Sequence, residues 1–168
     1  MATVNTNLFT GSDATLTLTT DPGPEGDQAK STIAAYNLSP VGRATDVEVT
    51  VHTDVLVAYE LGKRHPAELR AGNIAVSGKV ARASINGALL KLLLGKGAES
   101  NRIAEPYPAP AFNLTLDVVD PTTKATSNTI VVHGVKFETW VHNIPEDDFV
   151  MESATFKALF ITVEDKAG

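Results

Sequence analysis

The sequence predicts a mainly β domain, a β-sandwich or partly open barrel of about six to eight strands with one packed α-helix. Three observations carry that reading. Apolar residues recur at every second position in several separate stretches. One stretch, Asp46 to Glu60, keeps this alternation for fifteen residues. Only one segment, near Ile85 to Leu94, has convincing helical spacing.

The chain has 168 residues, which fits a single domain spanning 1–168 with a core of its own. It contains no cysteine, so disulfide frameworks, cysteine zinc sites and thiol nucleophiles are excluded. That also favours folding in a reducing cytoplasm. With 14 Lys and Arg against 20 Asp and Glu, the net charge of −6 argues against a phosphate-binding surface built on clustered cations. Met1 to Phe9 has neither a basic nor an apolar region of the signal-peptide kind. Ala88 to Leu94 is too short an apolar run to span a bilayer, so no membrane is expected.

Along the chain, Ala14 to Thr20 alternates Ala and Leu with Thr and ends at the turn residues Asp21-Pro22-Gly23-Pro24. Residues 21–45 read as an extended, mainly irregular arm, with a short extended piece near Thr32 to Tyr36. Asp46 to Glu60 then places Val47, Val49, Val51, Val55, Val57 and Tyr59 on one face, interrupted by Thr53. Asp46, Glu48, Asp54 and Glu60 lie on the other face. At roughly 3.4 Å per residue such a strand reaches about 50 Å, beyond the typical length of about 3–10 residues. It must bend at a bulge or find partners outside its own chain. After a loop at Gly62 to Gly72, Asn73 to Ala83 forms the second arm of a long antiparallel hairpin.

The helix of Ile85 to Leu94 has Ser84 as its expected N-cap and Gly95 as its stop. Leu89, Leu92 and Leu93 are expected to anchor it on the sheet. It is apolar nearly all round, which predicts burial on more than one side. A long loop at about 95–110 ends in Pro106-Tyr107-Pro108-Ala109-Pro110, a stiff, extended composition suited to contacts with a neighbour. Phe112 to Val118 alternates again and meets a turn at Asp120 to Thr123. Thr129 to Val141 changes phase near Gly134, which predicts a bulge at His133-Gly134, with Ile130 and Val132 inward before it and Val135, Phe137 and Val141 inward after it. A polar turn at Asn143 to Asp148 precedes the closing segment, where Phe156 to Val163 is apolar on both parities and reads as a strand covered on both faces.

No motif carries catalysis. His52 and Asp54 are too few for a metal site, and Gly95-Lys96-Gly97 lacks the Ser or Thr that a phosphate loop needs. Glu146-Asp147-Asp148 does not continue into a calcium ligand ladder, and no nucleophile elbow exists. The sequence therefore implies no enzyme, no metal and no cofactor. The acidic face of Asp46, Glu48, Asp54 and Glu60 reads either as an ordinary solvated strand face or as the lining of a water-filled passage to which polyanions do not stick.

Tyr59-Glu60-Leu61-Gly62, Gly72-Asn73-Ile74-Ala75-Val76-Ser77-Gly78 and Ile85-Asn86-Gly87-Ala88-Leu89-Leu90 resemble the middle of bacteriophage tail tube proteins. The run Phe149-Val150-Met151-Glu152-Ser153-Ala154-Thr155-Phe156-Lys157-Ala158-Leu159 is similar to their closing segment. The resemblance implies hexameric rings that stack into a tube, with the long hairpin contributing to one oligomeric β-barrel. It implies a DNA-conducting lumen faced by Asp46, Glu48, Asp54 and Glu60, with DNA passing unbound. Implied partners are copies of the chain itself, a surrounding sheath if the tail contracts, and tape-measure, baseplate and terminator proteins. The implied place is the virion tail, assembled in the host bacterial cytoplasm. Two alternatives remain open: another tail component such as a terminator or a secretion-system tube protein, and a monomeric β-sandwich binding module using Trp140, Tyr36, Tyr59 or Tyr107.

Overall fold

The computed structural model describes residues 9–38, 40–99, 106–120, 122 and 127–166. Seven strands and two α-helices make up the fold: β1 (Ala14–Thr19), α1 (Pro24–Tyr36), β2 (Ala44–Ala58), β3 (Glu68–Ala83), α2 (Ala88–Leu94), β4 (Phe112–Val119), β5 (Ser127–Asn143), β6 (Met151–Ala158) and β7 (Phe160–Lys166). Every strand pairing is antiparallel, along the path β1-β4-β5-β6-β3-β2, with β7 beside β5. The mainly β, partly open sandwich architecture is the one the alternation predicts.

The path folds over at the middle of β5. Its first half, 127–133, lies between β4 and β7; its second half, 136–143, pairs with β6. The bend falls where the phase of the sequence changes. Leu114 pairs with Val132 and Phe112 with Val135, so Asn113 faces both His133 and Gly134. Gly134 takes a φ of 66°, a left-handed conformation that costs an L side chain about 1–2 kcal/mol. Its N–H is held by Asn113 Oδ1 at 3.1 Å. On the other edge the same bend separates β6 from β7 at Leu159, whose N–H donates to the His133 carbonyl at 2.9 Å.

One core lies between the two halves of the path and the helices. It joins Leu16 and Leu18 of β1, Val76 and Val80 of β3, Phe112 and Leu114 of β4, Val132, Val135 and Phe137 of β5, and Ala154 and Phe156 of β6. Phe112 and Phe137 meet edge to face at 5.0 Å. Gly78 is required where it stands, because a Cβ there would collide with the Phe156 ring and the Glu48 carbonyl.

Several local expectations are corrected. Residues 21–45 are not an irregular arm; they hold α1, and Thr32 to Tyr36 is helical. Pro24 opens the helix, Glu25 and Asp27 occupy its positive first turn, and Asn37 ends it in the left-handed region. Its buried residues are only Gly26 and Ala29, so no apolar stripe announces it. The fold thus has a second α-helix beyond the one expected. α2 begins at Ala88, not Ile85; its N-cap is Gly87, and Asn86 Oδ1 takes the Ala88 N–H at 3.1 Å. Ser84 caps nothing there, and Ile85 is exposed before the helix. Gly95 does stop it, with a φ of 58°.

Of the loop at 95–110, residues 100–105 lie outside the described residues. Its described ends pack on their own chain: Tyr107 Oη donates to the Leu94 carbonyl at 3.0 Å, and Pro110 is buried. The Asp120 to Thr123 turn is described only at Asp120 and Thr122, where Thr122 N–H donates to Asp120 Oδ1 at 2.9 Å. Val141 points outward, because a second irregularity between Phe137 and Thr139 turns Trp140 inward in its place. Phe156 to Val163 is not one doubly covered strand: Leu159, Phe160 and Val163 are exposed on the single chain.

Candidate assembly surface

The β2–β3 hairpin is the feature that the described residues leave without a full set of neighbours. Its thirteen cross-strand partners run from Ala44 with Arg82 to Ala58 with Glu68. Opposed residues of an antiparallel pair share a face, so Val47 with Val80, Val49 with Gly78 and Val51 with Val76 form the core side. An irregularity sets Asp54 against Asn73 and Gly72. It shifts the phase of β3 and keeps Val55 with Ala71 and Val57 with Leu69 on the side of the β2 valine row.

That valine side runs out of core. β6 lies beside β3 only from Val76 to Ala83. Over this stretch Val76 and Val80 are 4% and 2% exposed. At its end and beyond, Val51, Val55, Val57, Leu69 and Ile74 are 46–67% exposed. Eight residues of β3 (68–75) thus project past the neighbouring strand, about 27 Å of ribbon at roughly 3.4 Å per residue. Among the described residues, nothing pairs with the outer edge of β2, apart from β3, or with residues 137–143 of β5 on the side away from β6.

The base of the hairpin is pinned by a buried polar network. Arg82 Nε donates to Glu152 Oε1 at 2.6 Å, with both side chains almost fully buried. Trp140 Nε1 donates to Glu152 Oε2 at 3.0 Å, and Arg82 Nη2 donates to Asn86 Oδ1 at 3.0 Å. β3, β6, β5 and the turn into α2 are thereby tied at one point. Every polar group is satisfied, the condition under which a buried pair is tolerated. Trp140, considered above as an exposed ligand platform, is a member of this network.

The proposed site residues divide into two groups. Asp46 and Glu48 stand on the polar face of the second half of the sheet, opposite Ala81 and Lys79. Asp54 sits at the hairpin irregularity, 3.1 Å from His52 Nε2. Glu60 lies past the end of β2, in the turn, paired with Lys63 at 2.7 Å. The expected strand to Glu60 therefore ends at Ala58, and the four carboxylates do not form one continuous row. Leu89 and Leu92 are buried in the core and Leu93 is half-buried against it. Among the described residues no group of three His, Asp or Glu stands together as metal ligands would. His133 stacks on Phe160 at 4.3 Å.

Sequence reasoning missed the partners of the acidic strand. Across the sheet, Glu48, Lys79, Thr155 and Thr139 form one lateral row, and Thr50, Ser77, Lys157 and Lys136 form another. No local pattern announces them, since they come from three further strands.

Solved structures share this fold. The fold matches the sheath/tube terminator of an extracellular contractile injection system, PVC, with a TM-score of 0.61 and 9% identity, over 94% of this chain and 97% of that one. It matches a chain of the PVC sheath–tube complex with a TM-score of 0.62 and 9% identity, over 95% and 93%. It matches the SPP1 tail tube with a TM-score of 0.60 and 11% identity, over 96% and 81%. No family model matches the sequence, and no curated protein matches it. The chain has the fold of tail tube and tube terminator proteins.

Proposed function

We propose that this chain is the structural subunit of a tail tube, forming hexameric rings that stack around a DNA-conducting lumen. The observation that carries the reading is the apolar stripe of the hairpin, Val51, Val55, Val57, Leu69 and Ile74, which no layer of the described residues covers. A contiguous exposed apolar surface on an extended ribbon marks a protein interface.

The strand order supplies a route to closure. In the half-sheet β5-β6-β3-β2, three antiparallel steps separate the two free edges, so β2 and β5 run in opposite directions. Setting β2 of one copy beside β5 of the next continues the antiparallel pattern, a head-to-tail contact that closes into a ring. Six copies give about 24 strands, which at about 4.8 Å spacing and about 40° tilt form a wall roughly 48 Å across. Closure also removes both sheet edges. Asp46 and Glu48 then face the lumen, with Asp54 and Glu60 at the hairpin tip. The valine stripe packs against the neighbouring subunit. A sheath, if the tail contracts, with tape-measure, baseplate and terminator proteins, completes the particle in the virion tail.

Negative-stain microscopy of the purified protein at high concentration is expected to show stacked rings. A strictly monomeric species, in solution and in particles that contain it, overturns the reading. The likeness to the PVC sheath/tube terminator supports a second reading on the same scaffold, a capping ring. Single rings that never stack, and that bind one end of a tube, would select it.

A further inference from the structure

We infer that the channel wall is charge-compensated and that a double-stranded polyanion passes it with neither the repulsion of an acidic wall nor the retention of a basic one. The inference rests on the ring reading above and specifies how the lumen treats its cargo.

The strand β2 alone is acidic on its polar face, but the sheet around it is not. Glu48 lies directly opposite Lys79. Lys157 Nζ is 3.3 Å from Glu138 Oε1. Lys136 shares a lateral row with Lys157 and, at the margin of the face, reaches Glu25 of α1 at 2.8 Å. The polar face of the four strands therefore carries Asp46, Glu48 and Glu138 against Lys79, Lys136 and Lys157. The hairpin tip repeats the balance. Asp54 meets His52 at 3.1 Å, Glu60 meets Lys63 at 2.7 Å, and Glu68 meets Arg70 at 2.7 Å. Arg64 follows in the same turn, so the tip holds three acids and three Lys or Arg. The named strand and tip residues balance, six acids against six Lys or Arg, and the net charge of −6 belongs to the rest of the chain, Glu25 and the Glu146-Asp147-Asp148 turn between β5 and β6 included.

Opposite charges a few ångströms apart cancel within a Debye length of about 10 Å, so a duplex held away from the wall meets little net field. A wall bearing unpaired acids would instead exclude DNA most strongly at low salt. A wall with unpaired lysines would bind it with a steep salt dependence.

The test uses tubes assembled from the full chain and the fluorescence anisotropy of a short labelled DNA duplex. Wild-type tubes are expected to leave the duplex free at about 50 mM and at about 200 mM salt alike. The E48Q/E138Q variant uncovers two lysines per subunit. It should bind the duplex at the lower salt and lose roughly tenfold in affinity at the higher, the change for about two phosphate contacts. K79Q/K157Q tubes should stay unbound. If E48Q/E138Q does not assemble, E138Q alone carries the same expectation with a smaller gain. Salt-dependent binding by wild-type tubes, or a glutamine variant as inert as wild type, overturns the compensated wall. Micrographs of the same samples report separately on the rings: their absence overturns the ring reading and this inference with it, whereas rings with a salt-dependent duplex overturn this inference alone.

Discussion

The two halves of the β2–β3 hairpin are made of the same residue types and meet opposite surroundings. Near the base, Val76 and Val80 lie beside β6, in the same core as Phe156. Toward the tip, Val55, Val57, Leu69 and Ile74 continue the same row and, among the described residues, have no layer over them. Alternation chooses which face of a strand is apolar. It does not say what covers that face. The base is covered by strands of its own chain and serves folding. Among the described residues nothing covers the apolar side of the tip, and the proposed function gives that side to assembly. If that division is right, substitutions at the base should cost stability whether or not rings form, and substitutions at the tip should cost rings alone.

The largest effect on folding is expected at the base. Glu152→Ala would strand Arg82 in the interior and leave the Trp140 indole N–H without an acceptor. Removing one partner of a buried pair costs about 3–5 kcal/mol. Denaturant melts should show that loss, with Glu152→Gln losing less because its single amide oxygen keeps an acceptor for one of the two donors. A loss of under about 1 kcal/mol for Glu152→Ala would mean that the network does not hold the base.

A smaller effect is expected at the bend. Gly134→Ala forces an L residue into a φ of 66° and brings its Cβ to 2.6 Å from Leu159 Cδ1. The conformation alone costs about 1–2 kcal/mol. Gly134→Ala with Leu159→Ala removes the collision but not the strain, so the double variant should recover part of the stability in the same melts. Full recovery would show that crowding, and not backbone conformation, makes glycine necessary.

This bend was legible in the sequence because a glycine and a change of phase coincide at one place. The hairpin and β4 were legible for a related reason: apolar residues alternate with polar ones along each of them. α1 was not, since it buries only Gly26 and Ala29 and its periodicity carries no apolar signal. Its Pro24, with Glu25 and Asp27 behind it, was the available cue. The second irregularity, at Glu138, has no glycine to mark it, and Val141 was misplaced as a result. The candidate site divides in the same way. The acidic residues of β2 were visible on their own strand, whereas their compensation was not. Lys157 and Glu138 reach that face only through pairings between residues far apart in the chain.

The smallest effect on the isolated chain, and the sharpest on the comparison, is expected from Val55→Thr with Val57→Thr. Threonine keeps the shape and strand preference of valine, and both positions are exposed in the single chain. Folding stability should therefore stay within about 0.5 kcal/mol of wild type. Burying a valine side chain fully stabilises by about 1.5–3 kcal/mol, so hydroxyls at two positions of every subunit interface should weaken assembly by roughly a hundredfold or more. Sedimentation velocity across a concentration series reads the shift from rings to monomers, and melts of the same samples read the fold. Matching threonines at Val76 and Val80 should reverse the outcome, with the fold lost first. If instead the tip variant assembled normally, the exposed stripe would not be the interface, and the free strand edges would have to carry the ring by backbone hydrogen bonds alone.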